Sequence, residues 1–151
     1  MLRNASRLLV CSVLLFASAA AAGGGKLYPG GMCSPVSLLT TELDDVVRDH
    51  DFWWAGSVNK EVMCPIVTSK LKGTKGLRLV EMRVDPAGGT LTCRLVSVRG
   101  GSTQSSGNEM VTGSGDNTIP LTLPLSLEGG SFLVRCTLPA GAKIRDYLVI
   151  E

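Results

Sequence analysis

The chain has 151 residues, with 15 lysines and arginines, 13 aspartates and glutamates, one histidine and five cysteines. Arg3 and Arg7, an apolar run from Leu8 to Phe16 and small residues from Ala17 to Ala22 form the layout of a secretion signal cleaved near Ala20 or Ala22. Without residues 1–22 the charge balances at 13 basic against 13 acidic, which excludes the clustered positive surface that nucleic-acid binding demands.

The apolar run is too short to cross about 30 Å of hydrocarbon, so no membrane span is expected once the signal is removed. Cys11 leaves with it. The remainder, residues 23–151, is of ordinary size for one domain with its own core.

Taken in order, residues 23–32 are a glycine-rich lead-in, expected to be loose until Cys33 ties the chain down. Leu39, Leu43, Val46 and Val47 recur at helical spacing between Ser37 and Phe52, which predicts a short helix or an irregular excursion. Asp44, Asp45, Asp49 and Asp51 lack the spacing and the distal glutamate that would wrap calcium, so they read as a solvated face and no metal is expected.

Phe52, Trp53 and Trp54 stand together beside His50, and they concentrate the aromatic surface of a chain with only two tryptophans and three phenylalanines. Such rings stack on sugars or anchor a protein interface; the competing reading puts one ring in the core and the other over a sheet edge. His50, Phe52, Trp53 and Trp54 are therefore the candidate binding residues.

From Val62 onward the pattern is period two. Val62, Cys64 and Ile66 share one side of a strand, and Pro65, with no N–H to donate, places that strand at a sheet edge or a bulge. Lys70, Lys72, Lys75 and Arg78 form a basic connection that reads as solvated loop. Val80, Met82 and Val84 alternate with Glu81, Arg83 and Asp85. After the turn Asp85-Pro86-Ala87-Gly88-Gly89, the return strand Thr90–Val98 points Leu91, Cys93 and Leu95 inward.

Arg99–Asn117 is rich in glycine and serine and reads as a long connection with one short strand at Glu109–Thr112. Leu121, Leu123, Leu125 and Leu127 alternate next, with Pro120 and Pro124 again arguing for an edge. The last stretch, Ser131–Glu151, folds back on itself through Leu138–Ala142 and buries Phe132, Val134, Cys136 and Leu138, while Leu133, Arg135 and Thr137 face away.

These elements predict an all-β fold: a two-layer antiparallel sandwich, Ig-like or jelly-roll-like, of six or seven strands with at most one short helix. Cys33, Cys64, Cys93 and Cys136 make two disulfides in an exported chain. Gaps of 31, 29 and 43 residues and a single His50 do not fit zinc. The preferred pairing is Cys64 with Cys136, stapling the two layers, and Cys33 with Cys93; the other two connectivities stay open.

No nucleophile elbow, metalloprotease helix, P-loop or dinucleotide fingerprint occurs, so no catalytic residue and no cofactor is assigned. The leading expectation is a non-catalytic structural or interaction module in the envelope or outside the cell, with a glycan or an envelope protein as partner. A carbohydrate-binding module using Trp53 and Trp54 is the alternative. A small secreted hydrolase, or a protease inhibitor presenting the Arg99–Asn117 loop, is the third.

The early Cys33, Gly56 to Asn59, Val62-Met63-Cys64-Pro65-Ile66, Thr92-Cys93-Arg94-Leu95 and Val134-Arg135-Cys136-Thr137-Leu138-Pro139, with Ile144, Tyr147 and Glu151, resemble a group of small exported proteins of Gram-negative bacteria. The resemblance implies the same sandwich with paired cysteines. It brings no activity or catalytic residue.

Overall fold

The computed structural model describes residues 25–36, 47–48, 53–67, 77, 79–122 and 130–151. Residues 1–22 with the expected secretion signal, most of the expected helix, His50, Phe52, the basic connection and residues 123–129 lie outside them.

The described chain is nearly all β. Its strands are β1 (Gly25–Pro29), β2 (Ser34–Pro35), β3 (Val47–Arg48), β4 (Trp53–Trp54), β5 (Lys60–Ile66), β6 (Leu79–Asp85), β7 (Thr90–Arg99), β8 (Ser102–Ser105), β9 (Glu109–Thr112), β10 (Asn117–Thr122), β11 (Ser131–Leu138) and β12 (Lys143–Ile150). Sheet I runs β10-β6-β12-β4-β3, with β1 beside β4 along the same flank of β12. Sheet II runs β2-β5-β11-β7-β8, with β9 continuing the edge made by β8. Every pairing is antiparallel and the sheets do not close into a barrel, as the alternation predicts.

The inward set is the one the period-two pattern marks. Val62, Cys64, Leu91, Cys93, Leu95, Val134 and Leu138 of sheet II meet Val80, Met82, Val84, Leu121 and Val149 of sheet I, all fully buried. Each such side chain contributes roughly 1.5–3 kcal/mol of transfer free energy, so this shared layer drives the stacking of the sheets.

Four expectations need correcting. Residues 25–32 are not a loose lead-in: Gly25–Pro29 pairs along β12 over five residues, and Gly30–Met32 is a 3₁₀ turn that carries the chain from sheet I to sheet II. Val47 and Arg48 are extended and pair with β4, so the helical spacing fails there. Arg99–Asn117 is no long loop, because Gly100 (φ 51°) and Gly101 (φ 85°) make a two-residue hairpin turn that sends β8 back along β7. Ser106 then mends the break between β8 and β9, its N–H donating to the Leu95 carbonyl and its hydroxyl accepting from the Leu95 N–H.

The disulfides are Cys33–Cys64 and Cys93–Cys136, not the preferred Cys64–Cys136 and Cys33–Cys93. Nor does either bridge staple the layers. Cys93 lies directly opposite Cys136 across the β7–β11 ladder, and Cys33, just before β2, faces Cys64 on β5. Both link neighbours within sheet II. Inward-facing positions do not distinguish a partner across the core from one beside it on the same face, and the cross-strand neighbour is nearer.

The 4.1 Å Cα separation of Cys93 and Cys136 marks a narrow pair, one whose backbone groups point away from each other. Three residues along β11, Leu133 opposite Pro65 is then also a narrow pair, so Pro65 directs its backbone off the ladder. Among the described residues no strand covers that flank of β5 beyond Met63, and the proline's missing N–H costs nothing there. The two exposed carbonyls of this open edge accept phenol hydroxyls instead. Tyr147 donates to the Pro65 carbonyl at 2.7 Å and Tyr28 to the Val67 carbonyl at 2.8 Å, with the two rings stacked 5.2 Å apart. These bonds clasp sheet I to sheet II.

Tyr147 is fully buried, and burial, with a smaller push from Tyr28, raises its phenol well above the ordinary value of 10.0. Above about pH 10 the unfolded chain therefore releases this proton while the folded one holds it, and stability falls as pH rises. Tyr147→Phe is expected to lose about 1–2 kcal/mol at neutral pH and to flatten the alkaline slope in urea titrations; an unchanged slope would show that the hydroxyl is not held in the interface.

Candidate functional site

Trp53 does not form a binding surface. It pairs with Ile144 of β12, is 0 % exposed, and its indole N–H has no hydrogen-bond partner among the described residues. The backbone of Trp54 lies beside it in β4, while His50 and Phe52 fall outside the described residues. The ring of Trp53 is a core element and has no face free to stack on a sugar. In a Trp54→Phe variant, the remaining emission is expected to be blue-shifted and insensitive to acrylamide and to a glycan panel. A red, readily quenched emission would put Trp53 at the surface.

Among the described residues, no group of three or more His, Cys, Asp or Glu side chains is placed to hold a metal. No described helix is long and apolar enough to cross a membrane. All four described cysteines are consumed in the two bridges.

The outward face of sheet II carries the most distinctive surface. Because side chains alternate, burying Cys64, Cys93 and Cys136 forces Met63, Pro65, Arg94, Val96, Leu133 and Arg135 to the other side. The register sorts them into rows. Met63, Arg135 and Arg94 lie side by side on β5, β11 and β7, and Pro65, Leu133 and Val96 form the next row. Val96, flanked by Leu133, is only 8 % exposed although it points outward; Val67 and Val98, at the same end of the sheet, are 56 % and 37 % exposed.

Arg94 and Arg135 sit directly opposite each other, a repulsive arrangement on a bare sheet. Glu61 relieves it: Arg135 Nε donates to Glu61 Oε1 at 2.5 Å and Nη2 to Oε2 at 2.8 Å. These bonds hold the Glu61 carboxyl below its usual range; slight burial opposes them, and the charges of Arg135 and Arg94 add to them. The guanidinium plane of Arg135 is thereby fixed on the face, and Arg94 makes no hydrogen bond or ion pair among the described residues. Along this row Pro65 is exposed, Leu133 half-buried and Val96 covered, and the Arg135–Glu61 pair and Arg94 border it.

On the outward face of sheet I, Arg83 forks onto Asp146 and Arg145 pairs with Asp116, while Leu27 of β1 is 63 % exposed; Lys26 reaches Glu151 at the rim.

No family model matches this chain, and no curated protein is similar to it.

Proposed function

We propose that this is a non-catalytic, exported domain, secreted or periplasmic, that works by contact with another protein through the outward face of sheet II. The observation that supports it best is the row Pro65–Leu133–Val96 beside Arg94 and the Arg135–Glu61 pair, an apolar strip with a charged border on a sheet whose other side is fixed by two disulfides. Disulfides suit an oxidising compartment, and the layout of residues 1–22 supplies a route to it. The resemblance to small exported proteins of Gram-negative bacteria points the same way. A glycan partner gains no support from the buried Trp53.

A photo-crosslinking residue at Val98 of the exported protein is expected to form a discrete protein adduct. Leu133→Glu should abolish it without lowering the melting temperature, and the same crosslinker at Thr118, outward on sheet I, should give none. Equal labelling from both faces, or none from Val98, would contradict the proposal. So would turnover of a substrate by the purified protein that one point substitution removes without unfolding it.

A further inference from the structure

Prolines stand at several margins of the sandwich. Pro29 lies in β1, Pro35 in β2, Pro120 in β10, and Pro65 on the half of β5 that β2 leaves unpaired among the described residues. A proline blunts a sheet edge because it offers no N–H to an approaching strand. The margin that β8 gives sheet II is different: its sequence, Ser-Thr-Gln-Ser, carries neither proline nor charge. Gly100 and Gly101 on one side and Gly107 on the other have no Cβ to obstruct an approach.

The register fixes what this margin presents. Ser106 donates its N–H to the Leu95 carbonyl, and the two-residue turn makes Arg99 and Ser102 a hydrogen-bonded pair. By alternation Ser97 and Gln104 are hydrogen-bonded too, whereas Thr103 and Ser105, opposite Val98 and Val96, point their N–H and C=O groups off the sheet. Those groups have no partner among the described residues. Gln104, between them, shares the inward side with buried Ser97, and its Oε1 is enclosed without a hydrogen-bond partner among the described residues.

We propose that β8 pairs with β8 of a second copy of this chain across a twofold axis at Gln104. In that antiparallel arrangement Thr103 of each copy and Ser105 of the other exchange both backbone hydrogen bonds. The two Gln104 residues become the close pair on the axis, with Cα atoms about 4.5 Å apart, and the amide N–H of each donates to the Oε1 of the other. One strand thus supplies both sides of the contact, and the orphaned acceptor gains its donor from its own counterpart. Such a contact is isologous and closes at two copies. It joins two copies of sheet II edge to edge and doubles the outward face that carries Leu133 and Arg94. The pairing does not depend on the partner proposed for that face, because it is made by the backbone at the rim.

Cysteine substitution reads the axis. Gln104→Cys is expected to give a disulfide-linked dimer of the purified protein under mild oxidation, because a close antiparallel pair admits a bridge, as Cys93 and Cys136 show at a Cα separation of 4.1 Å. Thr103→Cys lies off the axis and should remain uncross-linked. Sedimentation velocity of the unaltered protein should show a dimer that dissociates on dilution. Ser105→Pro removes a donor that points off the sheet, so it should abolish the dimer and leave the β7–β8 ladder in place. A monomer at every concentration, equal cross-linking from Thr103→Cys and Gln104→Cys, or a dimer that survives Ser105→Pro overturns the proposal. So does a Gln104→Cys protein that cross-links to a different exported protein in place of its own copy. Should Ser105→Pro fail to fold, the sedimentation of the unaltered protein and the contrast between the two cysteine variants decide.

Discussion

Gly30→Ala is expected to cost roughly 3 kcal/mol, at the upper end of what overpacking produces, and to lower the melting temperature by roughly 10 °C. A Cβ at this position would stand 2.1 Å from the Ile144 carbonyl oxygen and 2.8 Å from that of Arg145. Both obstacles are backbone, so no side-chain rotation relieves them. The close approach exists because β12 bulges there: the register with β6 slips between Ile144 and Asp146, leaving Arg145 as the extra residue. The 3₁₀ turn that carries the chain from β1 to β2 settles on that irregular backbone, with Gly30 and Gly31 both buried. Pushing it away would also disturb the neighbouring Cys33–Cys64 bridge. Gly107→Ala is the control. Nothing lies within 4 Å of its would-be Cβ, and the change should stay within about 0.5 kcal/mol. Calorimetry on the two variants checks both; a Gly30→Ala protein as stable as Gly107→Ala would place the turn elsewhere.

Removing Cys93–Cys136 as the double variant to alanine is expected to lose about 4 kcal/mol, and removing Cys33–Cys64 slightly less, because in the chain-entropy model the penalty grows with the loop closed. The sequence separations are 43 and 31 residues. Truncating buried side chains adds a packing cost, since Cys93 and Cys136 lie in the shared layer at 0 % and 1 % exposure. Against a total stability of about 5–15 kcal/mol, loss of both bridges should leave the domain largely unfolded at 37 °C. Denaturant titration of the oxidised and fully reduced protein measures it. Reduced material with an unchanged midpoint would mean that the bridges follow folding rather than support it.

The local physics of this chain is legible where alternation is clean. Val80, Met82 and Val84 against Glu81, Arg83 and Asp85 specify both a strand and its buried face, and Pro120 belongs to a strand that, among the described residues, pairs with β6 alone, as a residue without an N–H requires. Pro65 carries the same message in subtler form: β5 lies one strand in from the margin, but two-residue β2 leaves that half of it unpaired among the described residues. What escapes a period-two reading is what breaks the period. Ile144 and Tyr147 are both buried though three apart, because the bulged Arg145 shifts the parity of β12. Gly100-Gly101 was a hairpin signal hidden within a polar tract, and disulfide partners depend on register that no single strand encodes.

The candidate surface shows the same division. Leu133 was visible as an apolar residue at an outward position beside Arg135. Its alignment with Pro65 and Val96, and the opposition of Arg94 to Arg135, exist only once β5, β11 and β7 are set side by side. The tryptophan pair leaves two readings open, a binding surface or one ring in the core, and the pairing of β4 with β12 decides it for Trp53, which is core.

The most direct measurement is a non-reducing peptide map of the purified native protein. Two bridges, Cys33–Cys64 and Cys93–Cys136, with no alkylatable thiol among the four cysteines, are the predicted result. Four free thiols, or a native pairing of Cys33 with Cys93 and Cys64 with Cys136, would contradict a sheet cross-linked along its own inner face.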